Sequence, residues 1–241
     1  CQFMLTEEAH HMFVGETGVG RIVKRCLEVM KASKSDDPEV IRKAGAIDLP
    51  LLQRYINFWF SSCLDLFGAD SSSNAASYFA AGVKGRPDEA MFADHICKDS
   101  QYDLSVPDGA GGARIETIPT RNAMNEITRN LYIEDCQKGV TRWNRLIKKA
   151  GFDFEIKLPS SRFRRSIGSW ANLPIDPSGS LLANDVYQNC LAAVLPSEAD
   201  RAYVHSLMKP VTEPGKMASW IAAPDRGINN NTPEFEYVKL H

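Results

Sequence analysis

The stretch FMLTEEAHHMFVGETGVGRIVKR, residues 3–25, combines a helical pattern with two acid–histidine pairs. Apolar side chains recur at steps of three and four residues from Met4 to Val29, which predicts one helix over residues 1 to about 31. Lysine and arginine enter near its C-terminal end, where positive charge is favourable. The stretch therefore predicts a long amphipathic helix at the start of the chain.

Two overlapping Glu-x-x-His pairs lie on this predicted helix, and helical geometry separates them. At 3.6 residues per turn, Glu8 and His11 fall in line with the apolar stripe. Glu7 and His10 fall on a largely polar flank, although this flank also carries apolar residues. The inward pair is therefore predicted to be Glu8 and His11.

A carboxylate and an imidazole on a packed face both need partners, because unpaired burial of a charge is costly. A metal ion satisfies both groups. Four-helix carboxylate proteins use one Glu-x-x-His pair on each of two helices, with single carboxylates from the other two, to hold two iron or manganese ions. This mixture of oxygen and imidazole ligands suits iron. The residues alone leave two alternatives open, a surface pair and a hydrogen-bonded core pair, and the zinc-protease spacing His-Glu-x-x-His is absent.

Three glycines follow within the same predicted helix, at Gly15, Gly18 and Gly20. Each should cost on the order of 1 kcal/mol relative to alanine. We therefore expect close approach of a neighbouring helix or of a substrate. A phosphate-binding loop is excluded because no Lys-Ser or Lys-Thr follows the last glycine.

The rest of the chain predicts further helices and a few strands. Capping residues place a short helix after Asp36 or Asp37, and a longer one between Asp48 and Gly68. The other predicted elements are a helix in SSSNAASYFAAG closed by Gly82, a hairpin over residues 102–119, a helix from about Arg121 to Ala150, a strand in FDFEIKLP, a hairpin-like turn in LPIDPSGSLL, a helix capped by Ser197 and a terminal strand in FEYVKL.

These elements predict a mainly α fold with a smaller α+β appendage. Residues 1–150 are expected to form a helical region that contains the metal-bearing helix and a hairpin near 101–119. Residues 151–241 are expected to form a mixed region of strand, coil and helix that packs on the first and is not independent.

The composition narrows the class of protein. The 241 residues carry 28 basic and 30 acidic side chains, a net charge of −2, which argues against nucleic acid or an anionic membrane as partner. Six scattered cysteines without a Cys-x-x-Cys motif favour reduced thiols. No apolar run reaches the roughly 18 residues of a membrane span, and no leader is recognisable, so we expect a cytoplasmic protein. The helical pattern starts directly at Cys1, which predicts a fragment of a longer chain.

Other candidate site residues are less specific. His95 lies two residues before Cys97, but no second pair completes a zinc site, and His205 and His241 are expected to be surface or core residues. The basic cluster SSRFRR, residues 160–165, could bind phosphate, but a solvated charged face is favoured, so no binding role is assigned to it. A hydrolase is disfavoured because no Gly-x-Ser-x-Gly motif is present.

Six segments spread along the chain are informative through their exact residues, and not only through the periodicity of their apolar positions. They are FMLTEEAHHMFVGETGVGRIVKR, DLPLLQRYINFWFSSCLDLFGAD, SSNAASYFAAGVKGR, RWNRLIKKAGFDFE, EADRAYVHSLM and WIAAPDRGINN with FEYVKL. Together they resemble the oxygenase subunit of the benzoyl-CoA 2,3-epoxidase family. The resemblance covers the whole chain and about the C-terminal half of the length typical of that family.

The resemblance implies a non-haem di-iron monooxygenase with a ferritin-like helical core. Such an enzyme epoxidises the aromatic ring of benzoyl-CoA with dioxygen during aerobic degradation of aromatic compounds. Its electrons come from a separate NADPH-dependent flavin and iron–sulfur reductase. The family's last ligand pair for its two iron ions falls on Glu8 and His11, and its other ligands lie on earlier helices, so this chain alone is expected to be inactive. The alternative is a non-catalytic helical subunit that binds CoA esters or acts as a scaffold.

Overall fold

The computed structural model describes residues 2–80, 100–227 and 230–238, which contain seven α-helices and two small β-sheets. The predicted mainly α fold with a smaller strand-containing part is confirmed. The helices are α1 (Gln2–Ser33), α2 (Pro38–Lys43), α3 (Leu49–Leu64), α4 (Ser73–Ala80), α5 (Met124–Ala150), α6 (Asn184–Val194) and α7 (Glu198–Leu207), and the strands are β1 (Gln101–Pro107), β2 (Ala113–Pro119), β3 (Lys216–Met217) and β4 (Glu236–Tyr237).

Capping residues set the ends of α2 and α3, as predicted. The Asp37 side chain accepts a hydrogen bond from the backbone N–H of Glu39, at 2.9 Å. The Asp48 side chain accepts one from the backbone N–H of Leu51, at 2.8 Å. A short 3-10 turn extends α3 as far as Gly68, whose φ of +85° lies in the left-handed region that glycine adopts without strain.

The predicted hairpin is formed by β1 and β2, which pair antiparallel. Its register places Gln101 opposite Pro119 and Pro107 opposite Ala113. Leu104 on β1 is buried, whereas most of β2 is exposed. The hairpin therefore contributes one strand face to the core.

The chain divides into two compact units. The first comprises Cys1–Ile56, Lys138–Lys157 and Leu195–His241, and the second comprises Asn57–Gln137 and Leu158–Val194. Each unit draws on residues from both sides of position 150, and the division into domains at that position stays a prediction.

Each unit has its own set of buried apolar side chains. In the first unit they come mainly from α1, the start of α3 and the end of α5, and in the second mainly from the end of α3, β1 and the segment before α6. They include Val23, Met30, Ile41, Leu51, Val140, Ile147 and Ile156 in the first unit, and Phe60, Leu64, Met124, Phe163, Trp170 and Ile175 in the second.

A buried ion-pair network joins α2, α3 and α7 in the first unit. Ser197 and Asp200 form a capping box at the start of α7, which confirms the predicted cap. Asp200 also accepts hydrogen bonds from Arg42 at 3.0 Å and from Arg54 at 3.1 Å, and Arg42 donates to Asp48 at 2.7 Å. Burial alone would raise the pKa of Asp200, but the hydrogen bonds from Ser197 and the two guanidinium groups hold it below its ordinary value.

The predicted strand in FDFEIKLP is wrong. Burial alternates as expected, with Ile156 buried between the exposed Glu155 and Lys157. However, side-chain amides form hydrogen bonds with the backbone N–H and C=O groups that a neighbouring strand would otherwise bind. The Asn144 side chain donates to the Ile156 carbonyl at 2.8 Å and accepts from the Ile156 N–H at 2.9 Å, and the Gln53 side chain does the same with Lys157. The segment is half-buried and pairs with no strand among the residues that the structure describes.

Two further differences concern the C-terminal third of the chain. The sequence did not predict α6, which contains no buried residue. Within the described part of the predicted terminal strand, residues 235–238, the strand comprises Glu236 and Tyr237 and pairs in parallel with β3. The predicted hairpin-like turn is confirmed by a bridge between Ile175 and Leu181, and the predicted helix end at Gly82 lies outside the described residues.

Candidate metal centre

Glu8 and His11 lie one turn apart on α1, at the spacing that the sequence predicts. Glu8 Oε1 and His11 Nδ1 are 3.5 Å apart. Residues three apart on a helix project to the same side, so one ion can contact both groups. The helix thus presents one carboxylate and one imidazole side by side as two potential metal ligands.

The predicted burial of this pair is wrong for this chain. The side chain of Glu8 is 70% exposed and that of His11 is 64% exposed. Apolar neighbours are exposed too, including Met12 at 61% and Phe13 at 64%. Because every described side chain of residues 4–15 is exposed, the apolar stripe lies on a helix face without a core beside it in the described structure.

Glu7 and His10, the overlapping pair, are exposed as well. Burial in this chain therefore does not separate the two pairs. The position on the helix remains the criterion that favours Glu8 and His11, because this pair continues the stripe that becomes buried further along α1.

Helix α1 meets the rest of the first unit one turn after the pair. Arg142 of α5 donates to both carboxylate oxygens of Glu16, and Trp143 Nε1 donates to the Glu16 carbonyl at 3.2 Å. A Cβ placed on Gly20 would lie 3.6 Å from the Trp143 ring, so the expected close approach of a neighbouring helix is found at this glycine. At Gly15 and Gly18, a Cβ would meet nothing within 4 Å among the described atoms.

Glu8 and His11 have no third metal-ligating side chain grouped with them among the described residues. Within residues 2–80, 100–227 and 230–238, no three His, Cys, Asp or Glu side chains are grouped to hold a metal ion. Carboxylate oxygen and imidazole nitrogen are ligands that suit iron, and they fit one part of a carboxylate-rich centre. A complete centre needs further ligands.

The basic cluster before α6 has structural partners. Arg165 is buried and pairs with Asp65 at 2.6 Å, and Arg164 donates to Ser61 Oγ at 3.1 Å. The interpretation of the cluster as a solvated charged face is therefore wrong at Arg165. Arg162 differs from both, because it lines a cavity.

The remaining histidines are His95, His205 and His241. His205 is exposed on α7, while His95 and His241 lie outside the described residues. Among the described helices, none has the length and apolar character that crossing a membrane requires.

No family model matches the chain. A curated relative is an oxygenase component, and its sequence aligns with all of this chain. It is benzoyl-CoA oxygenase component B of Aromatoleum evansii, with 49% identity over 243 aligned residues, which make up 51% of the relative and correspond to its C-terminal half. The resemblance predicted from the sequence is thereby confirmed. The chain spans about half the length of the curated relative that it matches.

Proposed function

We propose that this chain is part of a non-haem di-iron oxygenase that epoxidises the aromatic ring of benzoyl-CoA. The observation that carries the proposal is the Glu8–His11 pair, at 3.5 Å, inside a segment of a chain that is 49% identical to a benzoyl-CoA oxygenase component. The proposal includes a ferritin-like core. It also includes a separate NADPH-dependent flavin and iron–sulfur reductase as electron source, in keeping with the word "component" in the relative's name.

In this proposal, the carboxylate of Glu8 and the imidazole of His11 hold one of two iron ions. Bound iron supplies the activation of dioxygen. The carboxylate contributes negative charge that offsets the cation, and the imidazole contributes a neutral donor. The rigid helical backbone fixes the spacing of the two ligands, so that the pair is arranged before the ion binds.

The surroundings of the pair support the same proposal. Met12 and Phe13 are large apolar side chains that are exposed on the half of α1 that bears the pair. In a ferritin-like core, each helix packs its apolar face against other core helices and directs its ligands inward. We propose that such helices cover residues 4–15 in the full-length protein and exclude water from the ligands.

The test uses the full-length protein together with its reductase. Oxygen consumption that depends on both benzoyl-CoA and NADPH is measured for the parent protein and for Glu8→Ala. The variant should lose activity by more than about 100-fold, since even the outer-shell partners of metal ligands are worth about 10- to 100-fold.

The matched control is Glu7→Ala, which removes the adjacent carboxylate from the same helix and should keep the parent activity. Activity retained in Glu8→Ala would contradict the assignment of the pair. A full-length protein that binds benzoyl-CoA but holds no iron would instead favour the non-catalytic CoA-ester-binding or scaffold subunit.

A further inference from the structure

The second unit contains a cavity of about 270 Å³ beside the hairpin turn. Its walls are mostly apolar and include Pro107, Trp170, Leu173 and Leu181. An engineered cavity of about 150 Å³ is large enough to bind benzene. The cavity therefore has room for a six-membered ring together with a small polar group.

Arg162 is the charged residue among those that line this cavity. Its guanidinium carbon lies 4.0 Å from the centre of the Trp170 ring, and its Nη2 donates to Ser105 Oγ at 3.0 Å. Trp170 Nε1 in turn donates to the Ser105 carbonyl at 2.9 Å. The indole and the serine thus hold the guanidinium in a defined orientation at the cavity.

The charge of Arg162 lacks an ion-pair partner within the ranges that the structure describes, in contrast to Arg165, which pairs with Asp65. A guanidinium presents its N–H groups in one plane and binds the oxygens of carboxylate or phosphate with two parallel hydrogen bonds. A partly buried cation beside apolar walls is the arrangement that ligand pockets use to orient an anion with an apolar body.

We propose that this cavity is a binding site for a small organic anion whose ring lies against Leu173 and Leu181 and whose anionic oxygens contact Arg162. The site lies within one compact unit and its chemistry needs no metal. The proposal thus goes beyond the proposed oxygenase function. Carboxylates and phosphate esters share the recognised chemistry, and the probes below distinguish them.

The test is isothermal titration of the full-length protein with benzoate, phenyl phosphate and benzyl alcohol, which share a ring and differ in charge. At least one anion should bind, and the neutral alcohol should bind more weakly. Stronger binding of benzoate shows that the site prefers a carboxylate, whereas stronger binding of phenyl phosphate shows that it prefers a phosphate ester.

Two variants test the two features of the site separately, namely the positive charge and the apolar wall. Arg162→Met should weaken binding by about 10- to 100-fold, the range expected for a hydrogen bond to a charged group. Leu181→Trp should weaken it as strongly by filling the cavity, and it is expected to fold because Leu181 is partly exposed. Arg121→Met, at an exposed arginine of the same unit, should leave binding unchanged.

Glu8→Ala separates this proposal from the metal centre, because anion binding should survive the loss of that carboxylate. Binding lost in Glu8→Ala would place the anion at the metal centre and overturn the proposal. The proposal is also overturned if neither anion binds at millimolar concentration, or if Leu181→Trp binds the anion as tightly as the parent protein.

Discussion

The two halves of α1 share one apolar pattern but differ in their surroundings. The described side chains of residues 4–15 are exposed, whereas the second half of the helix buries Val23, Cys26 and Met30. The change occurs at Glu16, where Arg142 and Trp143 of α5 contact the helix. Periodicity therefore predicts which face of a helix is apolar, while burial depends on the elements that lie beside that face.

A matched pair of methionines tests this difference with the largest expected effect. Met30 is 3% exposed and Met12 is 61% exposed, and both lie on α1. Met30→Ala should lower the free energy of unfolding of the 241-residue chain by about 2–5 kcal/mol, because it leaves a cavity. Met12→Ala should change it by less than about 0.5 kcal/mol. Urea titration measures both, and equal losses would show that the two halves are packed alike.

A second test uses the ionisation of Cys26 in the buried half. Burial, with a contribution from the charge of Asp48, raises the pKa of this thiol from 9.0 to about 12. The folded state therefore keeps the thiol protonated, and the resulting stabilisation is complete below pH 9 and declines as the pH rises towards 12. Between pH 8 and pH 10, the parent chain should lose about 1 kcal/mol more stability than Cys26→Ala.

Urea titration at the two pH values, with a reductant present, measures this difference. Several other thiols and phenols also ionise in this range, so the quantity of interest is the difference between the parent and the variant. Identical losses in both would mean that Cys26 is not buried.

The smallest expected effect concerns the boundary between the two halves. Glu16 and Arg142 form an ion pair whose side chains are partly exposed. Glu16→Gln should lower the free energy of unfolding by about 0.2–1 kcal/mol at low salt and by less at high salt, because exposed pairs are screened. Glu7→Gln, in the exposed half, serves as the control and should have no measurable effect at either salt concentration.

The parts of the fold that the sequence predicts well depend on residues close together in the chain. Asp48 caps α3 through a residue three positions on, and Ser197 and Asp200 form a capping box across the same distance. The spacing of Glu8 and His11 is equally local, which is why their proximity follows from the helix alone. Local rules of this kind require no knowledge of the tertiary structure.

The failures depend on contacts between distant residues. The alternation in FDFEIKLP correctly predicts which side chains are buried, but the Gln53 side chain that binds Lys157 is 104 residues away, and no local pattern reveals it. The cavity in the second unit also depends on residues that are distant in sequence, since Ser105 is 57 residues from Arg162 and 65 from Trp170. The burial of Glu8 and His11 was predicted wrongly for the same reason, because it depends on neighbours and not on helix periodicity.

Iron content is the most direct test of the central claim, that Glu8 and His11 ligate iron. Elemental analysis of the full-length protein would compare Glu8→Ala and His11→Ala with Glu7→Ala and His10→Ala, which remove the same groups one position earlier on the helix. We expect the first two variants to lose iron and the second two to keep the parent content. Iron retained in Glu8→Ala and His11→Ala, or lost equally from all four variants, would contradict the assignment.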